Sequence, residues 1–200
     1  MKKNINFQDI LAVIPAKKRS TRLEHKNLKN FNNRPLIYYT IRFAQLSNLK
    51  HIVVSTDCVK IKSFSIKMGV CVIDRPSELC NDYAKTSDVI KHATTYYLEK
   101  NNIIINKVVT LQPTNPLRPK NLLSNTLKIM NDNNTDSILS VCINKRKFGT
   151  INHHFIPLNY SYGERSQDLK QIYYENGLIY ISDLKLILKS KIISKKNSII

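Results

Sequence analysis

The first concentration of chemically capable side chains lies between residues 13 and 28, VIPAKKRSTRLEHKNL. There Lys17, Lys18, Arg19, Arg22 and Lys26 stand with a single acid, Glu24. Cations gathered in a loop that leaves an apolar run can neutralise phosphate oxygens, and the loop's backbone N–H groups can point at the same oxygens. Neither GxxxxGK[ST] nor GxGxxG is present, which excludes a Walker loop and a dinucleotide fingerprint. A solvated basic turn is the plain alternative. Three further polar clusters follow apolar runs: STD at Ser55, Thr56 and Asp57, DRPSEL from Asp74 to Leu79, and QPTNPLR from Gln112 to Arg118.

Thirty-two Lys and Arg against fourteen Asp and Glu give a net charge of +18. A dedicated nucleic-acid face would gather its cations on one stripe with interleaved aromatics. Here the lysines are dispersed along the whole chain, so the charge reads as general basicity and no nucleic-acid partner is expected. Cys58, Cys71, Cys80 and Cys142 show no CxxC spacing, which argues for buried thiols and against a zinc or redox pair. The first ten residues, MKKNINFQDI, lack the apolar core of a signal peptide, and no run reaches the roughly 20 apolar residues of a membrane span. A cytoplasmic protein without membrane association is expected.

The elements that must position these clusters are legible as alternating periods. β-Branched runs of strand length occur at 10–14, 51–55, 70–73, 107–111 and 137–143. Stretches with helical spacing lie between them at 35–46, 59–68, 86–99 and 121–131, the first opening on Pro35 as a first helical turn permits. Alternating strand and helix predicts a mostly parallel α/β sheet, in which ligands gather beyond the carboxyl ends of the strands. All four polar clusters fall there. Residues 144–174 break the alternation and predict an inserted lobe or lid. Asn176-Gly177 predicts a tight turn into a further strand at 178–182. The last ten residues, KIISKKNSII, read as an unfinished element.

Six blocks together resemble the acylneuraminate cytidylyltransferases: VIPAKKRSTRLEHKNL, IVVSTD, RPSELCND, TSDVIKHA, LQPTNPLR and RSQDLKQIYYENGLIYI, in that order over residues 11–182. The resemblance implies one Rossmann-like domain over 1–200, of the nucleotide-diphospho-sugar transferase type, with the lobe inserted at about 144–175. It implies transfer of CMP from CTP to a nine-carbon 2-keto sugar acid, with release of pyrophosphate, in the synthesis of surface glycans. Sialic, legionaminic and pseudaminic acid all fit, and STRLEHK also resembles the loop of the eight-carbon enzymes. By the same resemblance Lys17 and Lys26 are catalytic cations on the phosphates. Ser20, Arg22, Asn27, Arg75 and Thr86 hold the nucleotide. Gln112, Thr114, Arg118, Arg165, Gln167, Asn176 and Gly177 hold the sugar acid. Tyr173 and Tyr174 flank the sugar or pack in the lid, and Lys145 or Lys147 adds a cation. Magnesium as cofactor and a homodimer are implied as well.

Four departures from the family pattern stand out. Lys17 replaces an arginine, which keeps the charge but loses the planar fork. Lys18, Arg19 or Arg22 occupies places where the family carries glycine, and Glu24 stands for a proline, bringing an acid near the phosphates unless it turns to a neighbouring lysine. The family's acidic D-I-D-[ST] block, whose aspartates hold magnesium, has no counterpart before Ile200. Asp183 reads as a helix N-cap and Asp57 as a loop or cap residue, so the protein ligands of magnesium are unassigned. The alternative reading is a truncated or catalytically weak CTP-binding homologue.

Overall fold

The strand-length runs and helical stretches become alternating strands and helices in the computed structural model, which describes residues 7–19 and 23–200. The chain enters through β1 (Ile10–Pro15), passes a short hairpin of β2 (Asn30–Phe31) and β3 (Arg34–Pro35), and continues into α1 (Leu36–Leu46). Then come β4 (His51–Thr56), α2 (Val59–Lys67), β5 (Cys71–Asp74), α3 (Thr86–Asn101), β6 (Lys107–Thr110) and α4 (Leu122–Asp132). The remainder comprises β7 (Ser137–Asn144), β8 (Gly149–Asn152), β9 (His154–Pro157), β10 (Ile172–Asp183), α5 (Leu184–Ile187) and β11 (Asn197–Ile199).

Among the described residues the main sheet has seven strands, in the order β11-β7-β10-β6-β1-β4-β5. The pairs β1/β4, β1/β6, β4/β5 and β11/β7 are parallel, and β10 runs antiparallel to both β6 and β7. This is the α/β architecture expected from the alternation. The chain winds from β1 outward through β4 to β5, then returns to place β6 on the other side of β1. That reversal opens a crevice at the carboxyl end of β1, where open α/β sheets bind ligands.

Strand β1 is buried from Ile10 to Ile14, and its alternating side chains serve two layers. Ala12 and Ile14 join Ile37, Ile41, Leu123, Leu127 and Met130, the inner stripes of α1 and α4. Leu11 and Val13 join Ile90, Ala93 and Tyr97 of α3 and Ile187 of α5. Each large apolar side chain so buried contributes roughly 1.5–3 kcal/mol. Both faces of the centre are therefore held rigidly beneath the crevice.

Three expectations are corrected. Asn176 and Gly177 do not turn the chain; they lie inside the single strand β10, where the register with β7 shifts between Glu175 and Tyr180. Glu175 pairs with Val141 and Tyr180 with Leu139, so β10 carries extra residues opposite β7 and bulges. Gly177 takes φ 70, and the Ser140 hydroxyl fills the interruption, donating to Asn176 Oδ1 at 2.6 Å and accepting from Ile179 N at 3.0 Å. The final ten residues, read as an unfinished element, contain a strand of the main sheet, since β11 pairs in parallel with β7. Pro35 precedes α1 as its N-cap and pairs in β3, so the helix starts at Leu36. Between β7 and β10, residues 145–171 include a separate two-stranded hairpin, β8 with β9.

Candidate functional site

A cleft of about 210 Å³ opens at the crevice beside the end of β1. Its lining includes Pro15 at the end of β1 and Lys17 beyond it, Lys26 and Asn27, Arg75 after β5, Thr86 at the start of α3, and Gln112 and Thr114 after β6. Seven of the fourteen residues that the sequence assigned to catalysis and binding thus meet in one place. They come from segments nearly one hundred positions apart, which parallel strands carry to a common rim.

The basic loop is fastened from both sides. Lys18 N donates to Asp57 Oδ1 at 2.6 Å, so the aspartate of STD fastens the basic loop. Asn27 is 3% exposed and donates from Nδ2 to Lys17 O at 3.1 Å. Its Oδ1 is buried and has no hydrogen-bond partner among the described residues. A buried carbonyl left in that state costs roughly 1–3 kcal/mol, so a cleft ligand that donates a hydrogen there recovers that cost. Among the described residues of the loop, His25 takes a left-handed φ of 51. Glu24 is exposed and lies 3.4 Å from His25 Nε2.

Electrostatics in the cleft are dominated by cations. Lys17 Nζ lies 2.7 Å from Asp82 Oδ1, and that bond, with the charges of Lys17 and Arg19, holds the Asp82 carboxyl below its usual range. Arg75 is 8% exposed and gives Nη2 to Ser55 O at 2.9 Å and Nε to Ser55 Oγ at 3.3 Å. Burial lowers the Arg75 pKa, and Asp57 nearby opposes the shift. The Cys80 thiol is pushed up, by burial first and then by the negative charge of Asp57.

The assigned sugar-acid residues divide. Gln112 and Thr114 line the cleft, and Gly177 is packed against it: a Cβ there would stand 3.4 Å from Gln112 Oε1 and from Asn115 Nδ2. Asn115 Nδ2 donates to Gly177 O at 2.9 Å, which explains the close approach. Arg118 lies outside the lining. Its guanidinium donates to Leu178 O at 2.8 Å, Thr40 Oγ1 at 3.0 Å and Gln112 O at 2.7 Å, and rests over the Phe43 ring. The fork expected on a sugar carboxylate is engaged by protein acceptors, and burial pulls its pKa down to about 10.

Asn176 is likewise spent within the bulge, on Ser140, Cys142 and Leu178. Arg165 is exposed beside Asp168 at 2.7 Å, and Gln167 is exposed in the same loop; neither lines the cleft. Lys145, Lys147, Tyr173 and Tyr174 border a separate groove of about 650 Å³ with Arg146 and Phe148. Ser20 and Arg22 lie outside the described residues. Sequence reasoning passed over Leu79, Asn81 and Asp82, although RPSELCND had drawn attention to its arginine; the second half of that block was the available signal.

The rim acids are committed to other partners. Asp57 holds Lys18 N, Asp74 pairs with Lys62 at 2.7 Å, and Asp82 pairs with Lys17; at the opposite rim of the sheet, where β6 begins, Asp183 pairs with Lys107 at 2.7 Å. Asp183 does occupy the N-cap position of α5, without a side-chain cap bond. Among the described residues no group of three His, Cys, Asp or Glu could hold a metal ion.

The model of a family described as Cytidylyltransferase matches residues 11–193. An N-acylneuraminate cytidylyltransferase of Streptococcus agalactiae serotype V is 28% identical over 190 residues, covering 90% of this chain and 45% of the relative. The chain therefore spans less than half of that protein. A CMP-N,N'-diacetyllegionaminic acid synthase of Legionella pneumophila is 33% identical, with 91% of this chain and 81% of the relative covered. A pseudaminic acid cytidylyltransferase of Campylobacter jejuni is 29% identical, with coverages of 94% and 84%. Among solved structures, a CMP:2-keto-3-deoxy-manno-octonic acid synthetase complexed with CTP superposes with a TM-score of 0.64 at 18% identity, covering 90% of this chain and 76% of its own. At that identity the likeness speaks for the fold.

Proposed function

Because the chain belongs to the cytidylyltransferase family, we propose that its cleft binds CTP and transfers CMP to a nine-carbon 2-keto sugar acid. The observation that carries this reading is the convergence of Lys17, Lys26, Asn27, Arg75, Thr86, Gln112 and Thr114 on one cleft at the crevice beside β1. Sialic-, legionaminic- and pseudaminic-type acids are the candidate acceptors, by analogy with the relatives' names.

In the proposed reaction the anomeric hydroxyl oxygen forms a bond to the α-phosphorus of CTP. The bond from that phosphorus to the bridging oxygen breaks, pyrophosphate leaves, and the hydroxyl proton passes to solvent. Lys17 and Lys26 offset the charge that builds on the phosphoryl oxygens and on the leaving group, where preorganised cations act most strongly. The unpartnered Oδ1 of Asn27 accepts from a hydrogen on the nucleoside. Arg75, with two donors fixed on Ser55, presents its charge from a buried and rigid position. Gln112 and Thr114 bound the acceptor side of the cleft. Magnesium supplies charge neutralisation in such transfers, and no step here is assigned to it.

The groove bordered by Lys145, Lys147, Tyr173 and Tyr174 belongs, in this reading, to the lobe at about 144–175. Exposed apolar residues on that lobe, including Ile151 and Leu158, support its use in a homodimer. No helix among the described residues is long and apolar enough to cross a membrane, in keeping with action on dissolved substrates.

The test is calorimetric titration with CTP, followed by a magnesium-dependent pyrophosphate-release assay on sialic, legionaminic and pseudaminic acids. Binding near stoichiometry and release with one acid are expected. Binding with no release for any of the three favours the catalytically weak homologue, and absence of CTP binding removes the nucleotide reading.

A further inference from the structure

We propose that Asp82 is an internal competitor for Lys17: it occupies the ammonium at the edge of the cleft and gives it up to an entering polyphosphate. The proposal rests on reading this cleft as a phosphate site, and it concerns a residue outside the set assigned from sequence. Lys17 and Asp82 are 65 positions apart, yet Nζ and Oδ1 meet at 2.7 Å, so the pair ties the loop after β1 to the loop after β5. Both loops contribute to the lining, through Lys17 on one side and Leu79, Asn81 and Ala84 on the other.

The presentation of Asp82 is built into the loop. Asn81 Oδ1 accepts from Tyr83 N at 2.9 Å and Ala84 N at 2.8 Å, while its Nδ2 donates to Glu78 O at 2.8 Å. These bonds lock the backbone on both sides of Asp82 and leave its side chain to face the basic loop. Beneath it, Asp57 fixes Lys18 N, so the Lys17 backbone is anchored as well. The pair therefore joins two fixed supports.

A carboxylate oxygen 2.7 Å from an ammonium sits where a phosphate oxygen would sit in a charge-assisted contact. Lys17 cannot serve both anions at full strength, and a carboxylate beside a triphosphate is repelled. The Lys17 side chain is 28% exposed and that of Asp82 is 51% exposed, so the acid can swing into water while the lysine stays at the cleft. Asp82 thus sets a charge threshold. An entering ligand must outcompete one carboxylate for Lys17, which several phosphate charges do and a single weak anion does not.

The experiment measures tripolyphosphate and CTP affinity by calorimetry at fixed ionic strength for the wild type, Asp82→Asn, Asp82→Glu, Lys17→Met and the Lys17→Met/Asp82→Asn double variant. Removing the competing charge is expected to tighten both ligands by about threefold to fivefold, the size of one partly exposed ion pair. Asp82→Glu, which keeps the charge, should stay near wild type. In the Lys17→Met background the Asn substitution should have little effect, because there is no ammonium left to release. Weaker binding by Asp82→Asn overturns the proposal and marks Asp82 as a ligand-holding or loop-supporting group. Equal tightening with and without Lys17 also overturns it, reducing the effect to general charge. Wild-type binding of tripolyphosphate but not CTP sinks the cytidine reading and leaves this one standing; binding of neither sinks both.

Discussion

Arg118 offers the sharpest conflict between a motif and a structure, and Arg118→Met resolves it. In the family pattern this arginine faces the sugar acid; in the structure it clamps three acceptors on three segments, Leu178 O, Thr40 Oγ1 and Gln112 O. Hydrogen bonds from a charged donor contribute roughly 1.5–3 kcal/mol each, giving a gross sum of about 5–9 kcal/mol. Against this stands the burial that pulls the guanidinium down to about 10, a desolvation cost of roughly 3 kcal/mol. Methionine removes both terms and keeps much of the packing over Phe43, so the net loss is about 2–6 kcal/mol. For a domain of this length that is a fall in Tm of about 4–24 °C. Urea unfolding and thermal melting read it directly. Arg118→Lys should recover less than half, since one ammonium cannot span three acceptors. Wild-type stability in Arg118→Met, together with a selectively raised KM for the sugar acid, would refute the clamp and restore the carboxylate-binding role.

Other perturbations separate packing from chemistry. Gly177→Ala forces a left-handed φ of 70 on a side chain and sets a Cβ 3.4 Å from Gln112 Oε1; a stability loss of about 1–2 kcal/mol by urea unfolding should accompany weaker substrate binding. Lys26→Ala should lower kcat/KM for CTP by about tenfold or more with the unfolding midpoint unchanged. Asp183→Asn should cost about 1 kcal/mol through the loss of the Lys107 pair while CTP affinity holds, whereas loss of magnesium-dependent binding would mark a metal ligand. His51 carries a pKa below its ordinary value of 6.5, chiefly through burial and then through Lys50. The unfolded chain therefore takes up its proton first, stability falls as pH drops through 6.5, and His51→Gln should flatten that slope in pH-dependent melts.

What could be read from sequence follows from how local each signal is. The β-branched runs at 10–14 and 107–111 became β1 and β6 because a central parallel strand is buried on both faces, and its apolar run needs no partner to be recognised. The cleft was legible in the same way, since the parallel sheet delivers every post-strand loop to one rim and the loops carry their polar residues visibly. Asn176-Gly177 was misread because the dipeptide specifies a positive φ and nothing more; whether that φ reverses the chain or bulges a strand is decided by whether β7 continues alongside, which it does from Val141 to Leu139.

Arg118 fails for a related reason. A motif records that a guanidinium is needed at a position but not which side of the loop it faces, and three backbone and hydroxyl acceptors buried beneath the loop exert a stronger claim than solvent does. Asp82 is the converse case. An exposed acid in a polar block carries no distinguishing local signal, and its significance comes entirely from a lysine 65 positions earlier. Residues whose role is fixed by a partner distant in sequence are therefore the ones a single sequence hides, and in this cleft they are the ones that set where the cations stand.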